Sequence, residues 1–119
     1  MNTKKIFFLT VVTLIAVSCS NDSESDLTDY SLIENVTYNA TVRTIITENC
    51  ITCHTQPPQG GAPMPLLTYN DVRNAVENLE LIDRISSFDP GYGMPFGGPR
   101  LPQSKIDQIE AWRDANFPE

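Results

Sequence analysis

An all-α fold is predicted by three observations on the 119-residue sequence. Apolar residues recur at intervals of three and four along 39–49, 68–79, 81–85 and 102–116, with no strand pattern between them. Residues 56–65 and 86–101, rich in proline and glycine, cannot stay helical and read as loops. At the end of the first periodic stretch stands Cys50-Ile51-Thr52-Cys53-His54, the motif around which the rest is organised.

The chain begins with a short basic end containing Lys4 and Lys5, then an apolar run, 6–17, too short to span a bilayer. Residues 1–18 therefore read as a secretory signal. Ala16-Val17-Ser18-Cys19 resembles a bacterial lipobox, with alanine where leucine is usual, and implies that Cys19 becomes the lipidated first residue. Ordinary cleavage at the same bond is the alternative; it leaves a lone thiol, a liability in an oxidising compartment. Residues 20–36 carry Asp22, Glu24, Asp26, Asp29 and Glu34 and no base, the composition of a solvated tether. As a flexible coil it spans roughly 20–25 Å. Residues 19–36 are thus assigned to lipidated cysteine and tether, and 37–119 to one domain.

In the first helix, 39–49, Val42, Ile45 and Ile46 share a face, with Ala40 a weaker member and Thr37 or Asn39 as cap. Its β-branched residues lower its own propensity, so packing must hold it. It delivers Cys50. Two cysteines three apart, with a histidine after the second, form the attachment pattern for c-type haem. On a helical turn Cys50 and Cys53 lie on one face and can each form a thioether to one porphyrin, while His54 offers an imidazole nitrogen to the iron. Zinc and a Cys50–Cys53 disulfide are the competing readings. Structural zinc wants four ligands, and His54 is the sole histidine while the third cysteine lies in the leader.

The loop after His54 wraps the side of the ligand imidazole. Thr68 caps the next helix with Asp71 three residues on, and Val72, Ala75, Val76 and Leu79 form its face. Asn78 tolerates a left-handed turn, so a break is expected there, followed by a short helix through Leu81, Ile82 and Ile85. In the loop 86–101, Met94 stands alone among Gly91, Gly93, Gly97 and Gly98, which allow backbone to approach a flat surface, and Pro95 restrains it. Pro102 suits a first helical position, and Ile106, Ile109, Ala111, Trp112 and Ala115 mark a final helix ending near Asn116, with Trp112 as core.

From Tyr38 to Phe117 the chain resembles a small class I cytochrome c domain, of the single-haem kind found on bacterial lipoproteins. The resemblance rests on Cys50-Ile51-Thr52-Cys53-His54 after a helix, Tyr69-Asn70-Asp71-Val72, Gly93-Met94-Pro95 and the final helix with Trp112. It implies a fold of three to five helices around one covalently attached haem c. It further implies Met94 as the distal iron ligand, with Met64 the other methionine of the mature chain. By the same resemblance a proline carbonyl, from Pro57, Pro58 or Pro63, accepts the hydrogen bond of His54. Tyr69 reaches a haem propionate or lies on the surface; Arg43 and Arg100 are propionate partners or, preferably, ordinary surface charges.

A domain of about 80 residues buries little apolar surface by itself, and a tethered haem would serve as its core. Cleavage of the signal removes Lys4 and Lys5 and leaves six basic residues against fifteen acidic ones, a net −9. Such a surface repels nucleic acid and suits a basic docking surface on a redox partner. The expected function is one-electron transfer, not enzyme catalysis, by an exported protein lipid-anchored to a bacterial membrane, facing the periplasm or on the cell surface, with no small-molecule substrate. The alternatives are a haem enzyme or peroxide or gas sensor with a labile sixth ligand, and a haem-free, disulfide-bearing lipoprotein; for peroxide chemistry the chain has no second histidine.

Overall fold

The computed structural model describes residues 33–119. The secretory signal, Cys19 and the tether up to residue 32 lie outside the described residues. Val36, placed at the end of that tether, is buried in the core.

Thr37 starts the first helix. Its backbone is extended and its hydroxyl oxygen accepts from the Ala40 N–H at 3.2 Å, so Thr37, not Asn39, is the cap. The first turn, Tyr38–Val42, is π-helical, with the Val42 N–H reaching back to the Thr37 carbonyl, and leads directly into α1, Arg43–Asn49. Tyr38, Val42, Ile45 and Ile46 are buried from this run, while Ala40 is exposed. Tyr38 joins the core from one residue ahead of the predicted start.

Helix α2, Tyr69–Asn78, carries the predicted capping box. The Thr68 hydroxyl accepts from the Asp71 N–H at 3.2 Å, and the Asp71 carboxylate accepts from the Thr68 N–H at 2.9 Å. The break to α3, Leu81–Ser86, does not fall at Asn78. Asn78 completes α2, Leu79 closes its last turn on the Ala75 carbonyl, and Glu80 takes the left-handed conformation at φ 59°. That conformation costs a non-glycine residue roughly 1–2 kcal/mol. The Glu80 carboxylate offsets part of it by accepting from the Tyr92 hydroxyl at 3.1 Å.

Helix α4 is Gln103–Asp114. Pro102 precedes it as the cap rather than standing as its first residue, with extended ψ of 142° and a carbonyl that accepts from Lys105 and Ile106. The helix stops at Asp114, short of Asn116, because Asn116 and Phe117 turn left-handed at φ 63° and 59° and fold the end back over Trp112. The Phe117 N–H donates to the Trp112 carbonyl at 2.9 Å.

Trp112 is wholly buried where α4 crosses the start of the first helix. Its ring meets Phe117 edge-on at 4.8 Å and Tyr69 edge-on at 5.9 Å, with Tyr38 tilted at 5.8 Å. Its indole N–H donates to the Pro118 carbonyl, which also accepts from the Tyr38 backbone, both at 2.9 Å. The two ends of the domain are thereby tied together over one aromatic cluster. Among the described residues the fold is all-α, four helices with no strand. The far side of this framework carries α1's last turn, α3 and both long loops onto one cavity.

Candidate functional site

Helix α1 runs out at Cys50, whose N–H donates to the Ile46 carbonyl. The Cys50 carbonyl then accepts from the N–H groups of Cys53 and His54, at 3.3 and 3.0 Å, so the motif forms one further turn. Cys50 is half-buried and Cys53 exposed, and neither forms a disulfide. Burial pushes the Cys50 thiol up to about 11 against the opposing influence of the Lys105 charge. Gly60 turns left-handed beside Cys53, and a methyl group built there would lie 3.3 Å from the Cys53 sulfur, so the loop presses closely on the motif.

His54 is the one buried charged or polar residue in the described core. Its Nδ1 lies 2.8 Å from the Met64 carbonyl oxygen. As donor there, the ring keeps Nε2 free to act as a ligand. This corrects the expectation that Pro57, Pro58 or Pro63 supplies that carbonyl. Pro57 and Pro63 are exposed on the outer part of the loop and Pro58 is only half-buried. The loop doubles back so that the Leu66 N–H donates to the His54 carbonyl at 2.9 Å, which lays the Met64–Pro65 peptide over the imidazole. Proline's role there is indirect: Pro65 has no N–H to satisfy in the reversal.

Cys50, Cys53, His54, Met64 and Met94 all line a single cavity of about 880 Å³, completed by Leu66, Leu81, Ile85, Leu101 and the exposed Phe96. Leu79, expected in the core, is partly exposed on the cavity rim. Glu80 and Arg84 also line it, and Arg84 is its one cationic side chain. Met94 is brought there by its N–H, which donates to the Arg84 carbonyl at 2.9 Å.

None of the three residues weighed as propionate partners lines the cavity. Tyr69 is half-buried, and its hydroxyl donates to the Phe117 carbonyl at 2.9 Å and accepts from Arg73 at 3.5 Å within the aromatic cluster. Arg100 is half-buried and holds the distal loop to α4, donating to the Ser86 carbonyl at 2.8 Å and to Gln103 at 2.6 Å while stacked on Phe88. Arg43 is exposed on α1. Sequence reasoning missed Glu80 and Arg84 on the cavity lining and Tyr92, which packs on them, a cluster with no periodic or motif signal.

The residues fit a haem. A wide apolar cavity accepts a flat apolar macrocycle, two thiols stand at its edge, and an oriented imidazole with a free nitrogen stands on its wall. Among the described residues no cluster of three or more His, Cys, Asp or Glu side chains suits a bare metal ion.

The chain matches no family model, no curated protein and no solved structure. The motif and the four-helix fold match the haem-attachment and fold pattern of class I c-type cytochromes, with Cys50, Cys53 and His54 at the spacing of covalent haem c attachment and axial ligation. They support a haem c-carrying electron-transfer protein rather than an enzyme.

Proposed function

We propose that this chain is a membrane-anchored, single-haem c-type cytochrome that passes one electron at a time between protein partners. The observation that carries the reading is the orientation of His54 by the Met64 carbonyl, on the wall of a cavity that Cys50, Cys53 and Met94 share. In this proposal Cys50 and Cys53 would hold the porphyrin through thioethers, and His54 Nε2 and the Met94 thioether would ligate the iron. The bound haem supplies a one-electron iron couple, which His/Met ligation sets at a raised potential.

The remaining work is done by the protein. The Met64 carbonyl fixes the tautomer and plane of His54 and strengthens its basicity. That bond ties Met64 to the His54 side by its own backbone, which favours Met94 over Met64 as the opposing ligand. Leu66, Leu81, Ile85 and Leu101 keep water from the centre of the cavity, so little reorganisation accompanies electron passage. Phe96, largely exposed at the rim, gives a partner an apolar contact beside the Met94 loop.

Export, lipidation at Cys19 and the acidic tether would place the domain at a bacterial membrane, facing the periplasm or the cell surface. Among the described residues no helix is long and apolar enough to cross a membrane. The net −7 of the full chain, −9 after loss of residues 1–18, suits a partner with a basic docking surface, in an encounter that weakens with salt.

The test is the visible spectrum of the protein exported in a host that attaches c-type haem. A low-spin spectrum is expected, with a weak far-red sulfur-to-iron band when oxidised that Met94→Ala abolishes and Met64→Leu retains. An attached but high-spin haem in the parent protein would overturn the ligand set, and failure to load haem where a control cytochrome loads would overturn the reading altogether.

A further inference from the structure

Met94 is not confined by side-chain packing alone. It forms part of the wall of the main cavity, and it also lines a smaller cavity of about 290 Å³ beside it, bounded by Ser87, Phe88, Asp89 and Arg100. A thioether with room beside it needs something else to hold it toward the iron site.

The backbone around it supplies that hold. Asp89 organises the approach: its carboxylate accepts from the Gly91 N–H at 2.8 Å, and its carbonyl accepts from Tyr92 at 3.1 Å and from Gly93 at 2.6 Å. Met94 then bonds the Arg84 carbonyl on α3. A methyl group built on Gly93 would lie 3.0 Å from the Asp89 carbonyl oxygen, 3.1 Å from that of Ser87 and 3.7 Å from that of Arg84. The neighbours are backbone, which cannot rotate away as a side chain can and must move by a few tenths of an ångström to admit a methyl group, and Gly93 has no left-handed φ, so glycine is favoured there by space and not by conformation. The other glycines of the loop differ. At Gly98 a methyl group meets Pro95 at an ordinary 3.5 Å.

Tyr92 fastens the same segment from its side chain. The Arg84 guanidinium lies over its ring at 4.6 Å and within 3.5 Å of its carbonyl, and its hydroxyl donates to Glu80, which pairs loosely with Arg84 at 4.0 Å. The loop is thus registered against the corner between α2 and α3.

We propose that Gly93 and Tyr92 are positioning residues for Met94, locking the distal loop to α3 so that the thioether stays turned into the main cavity instead of withdrawing into the smaller one. This rests on the reading of Met94 as the distal ligand.

The experiment uses the full chain, exported and haem-loaded, as parent, Gly93→Ala, Tyr92→Ala and Gly98→Ala, with imidazole as the probe of an open sixth site. The readouts are the far-red band, the imidazole titration and the thermal midpoint by circular dichroism. If the fraction of molecules with Met94 withdrawn rises about tenfold, imidazole binds about tenfold more tightly. That increase and a weakened band are expected for Gly93→Ala and Tyr92→Ala at temperatures where both are folded, and neither change for Gly98→Ala. Parental band and affinity in Gly93→Ala overturn the proposal. Should Gly93→Ala not accumulate, Tyr92→Ala decides, since it adds no atom to the crowded turn; unchanged imidazole affinity there overturns it equally. A parent protein without the band sinks the Met94 reading itself, and the positioning proposal with it.

Discussion

Replacing Trp112 tests whether the aromatic cluster, and not only the haem, organises this domain. Trp112 is 0% exposed and touches three rings, so Trp112→Ala leaves a cavity that the surrounding helices cannot fill by small shifts. Truncation of a buried aromatic costs about 3–5 kcal/mol. The edge-on contacts to Tyr69 and Phe117, each about 0.5–1.5 kcal/mol beyond area, argue for the upper part of that range. Trp112→Phe separates the contributions. It keeps much of the ring and loses the indole donor, but the Pro118 carbonyl still accepts from the Tyr38 N–H, so no buried acceptor is stranded. Its cost should be about 1–2 kcal/mol. In a domain of this size each kcal/mol moves the midpoint by about 4–8 °C, so the alanine variant should melt on the order of 15–40 °C below the parent and the phenylalanine variant about 4–16 °C below. The assay is thermal unfolding of the haem-loaded protein by circular dichroism, with the visible spectrum taken well below each midpoint. Because Trp112 does not line the haem cavity, the axial-ligand spectrum of folded Trp112→Phe should equal that of the parent. Equal costs for the two variants, or a ligand band lost while the helices remain, would refute the reasoning.

Thr68→Ala breaks the capping box at its hydroxyl and should lower stability by about 1 kcal/mol in the same melting assay, while leaving the visible spectrum unchanged. Tyr69→Phe removes a hydroxyl whose partner is the Phe117 carbonyl, so it should cost about 1 kcal/mol without moving the reduction potential; a shift of potential would point to a propionate contact instead. Cys19→Ser should release the haem-loaded domain from the membrane fraction into the soluble fraction without altering its spectrum, and retention at the membrane would argue against the lipid anchor.

The parts of the fold readable in the sequence are those where a short-range rule leaves one answer. Val42, Ile45 and Ile46 share a face at helical spacing and are buried together; Thr68 and Asp71 stand at capping-box spacing and form both bonds. Where two residues could satisfy the same rule, tertiary contacts chose. Asn78 has the better intrinsic preference for a left-handed turn, yet Glu80 takes it, and its carboxylate accepts from the Tyr92 hydroxyl twelve residues away. Tyr38 continues the helical spacing of Val42 and Ile45 one residue ahead of the predicted start, Phe117 lies beyond the last periodic stretch, and both became core through Trp112.

The haem site divides in the same way. The covalent and proximal groups are contiguous, so their chemistry is legible from five residues. The carbonyl that orients His54 is not, since every residue of the loop offers a carbonyl and only the path of the loop, closed by the Leu66 N–H returning to His54, selects that of Met64. The expectation of a proline came from the family resemblance, with the prolines of 56–65 as its candidates, but Pro57 and Pro63 lie exposed on the outer part of the loop, while the bond is made by Met64, the residue before the last proline. On the other side the proposed ligand Met94 stands out in the sequence as an isolated thioether, whereas its place on the cavity wall depends on a turn of backbone carbonyls around Gly93 and a ring under Arg84, which no motif announces. Ligand identity is therefore local information and ligand geometry is not, and substitutions that leave all four proposed haem-binding side chains intact are the ones that should separate attachment of the haem from control of its sixth position.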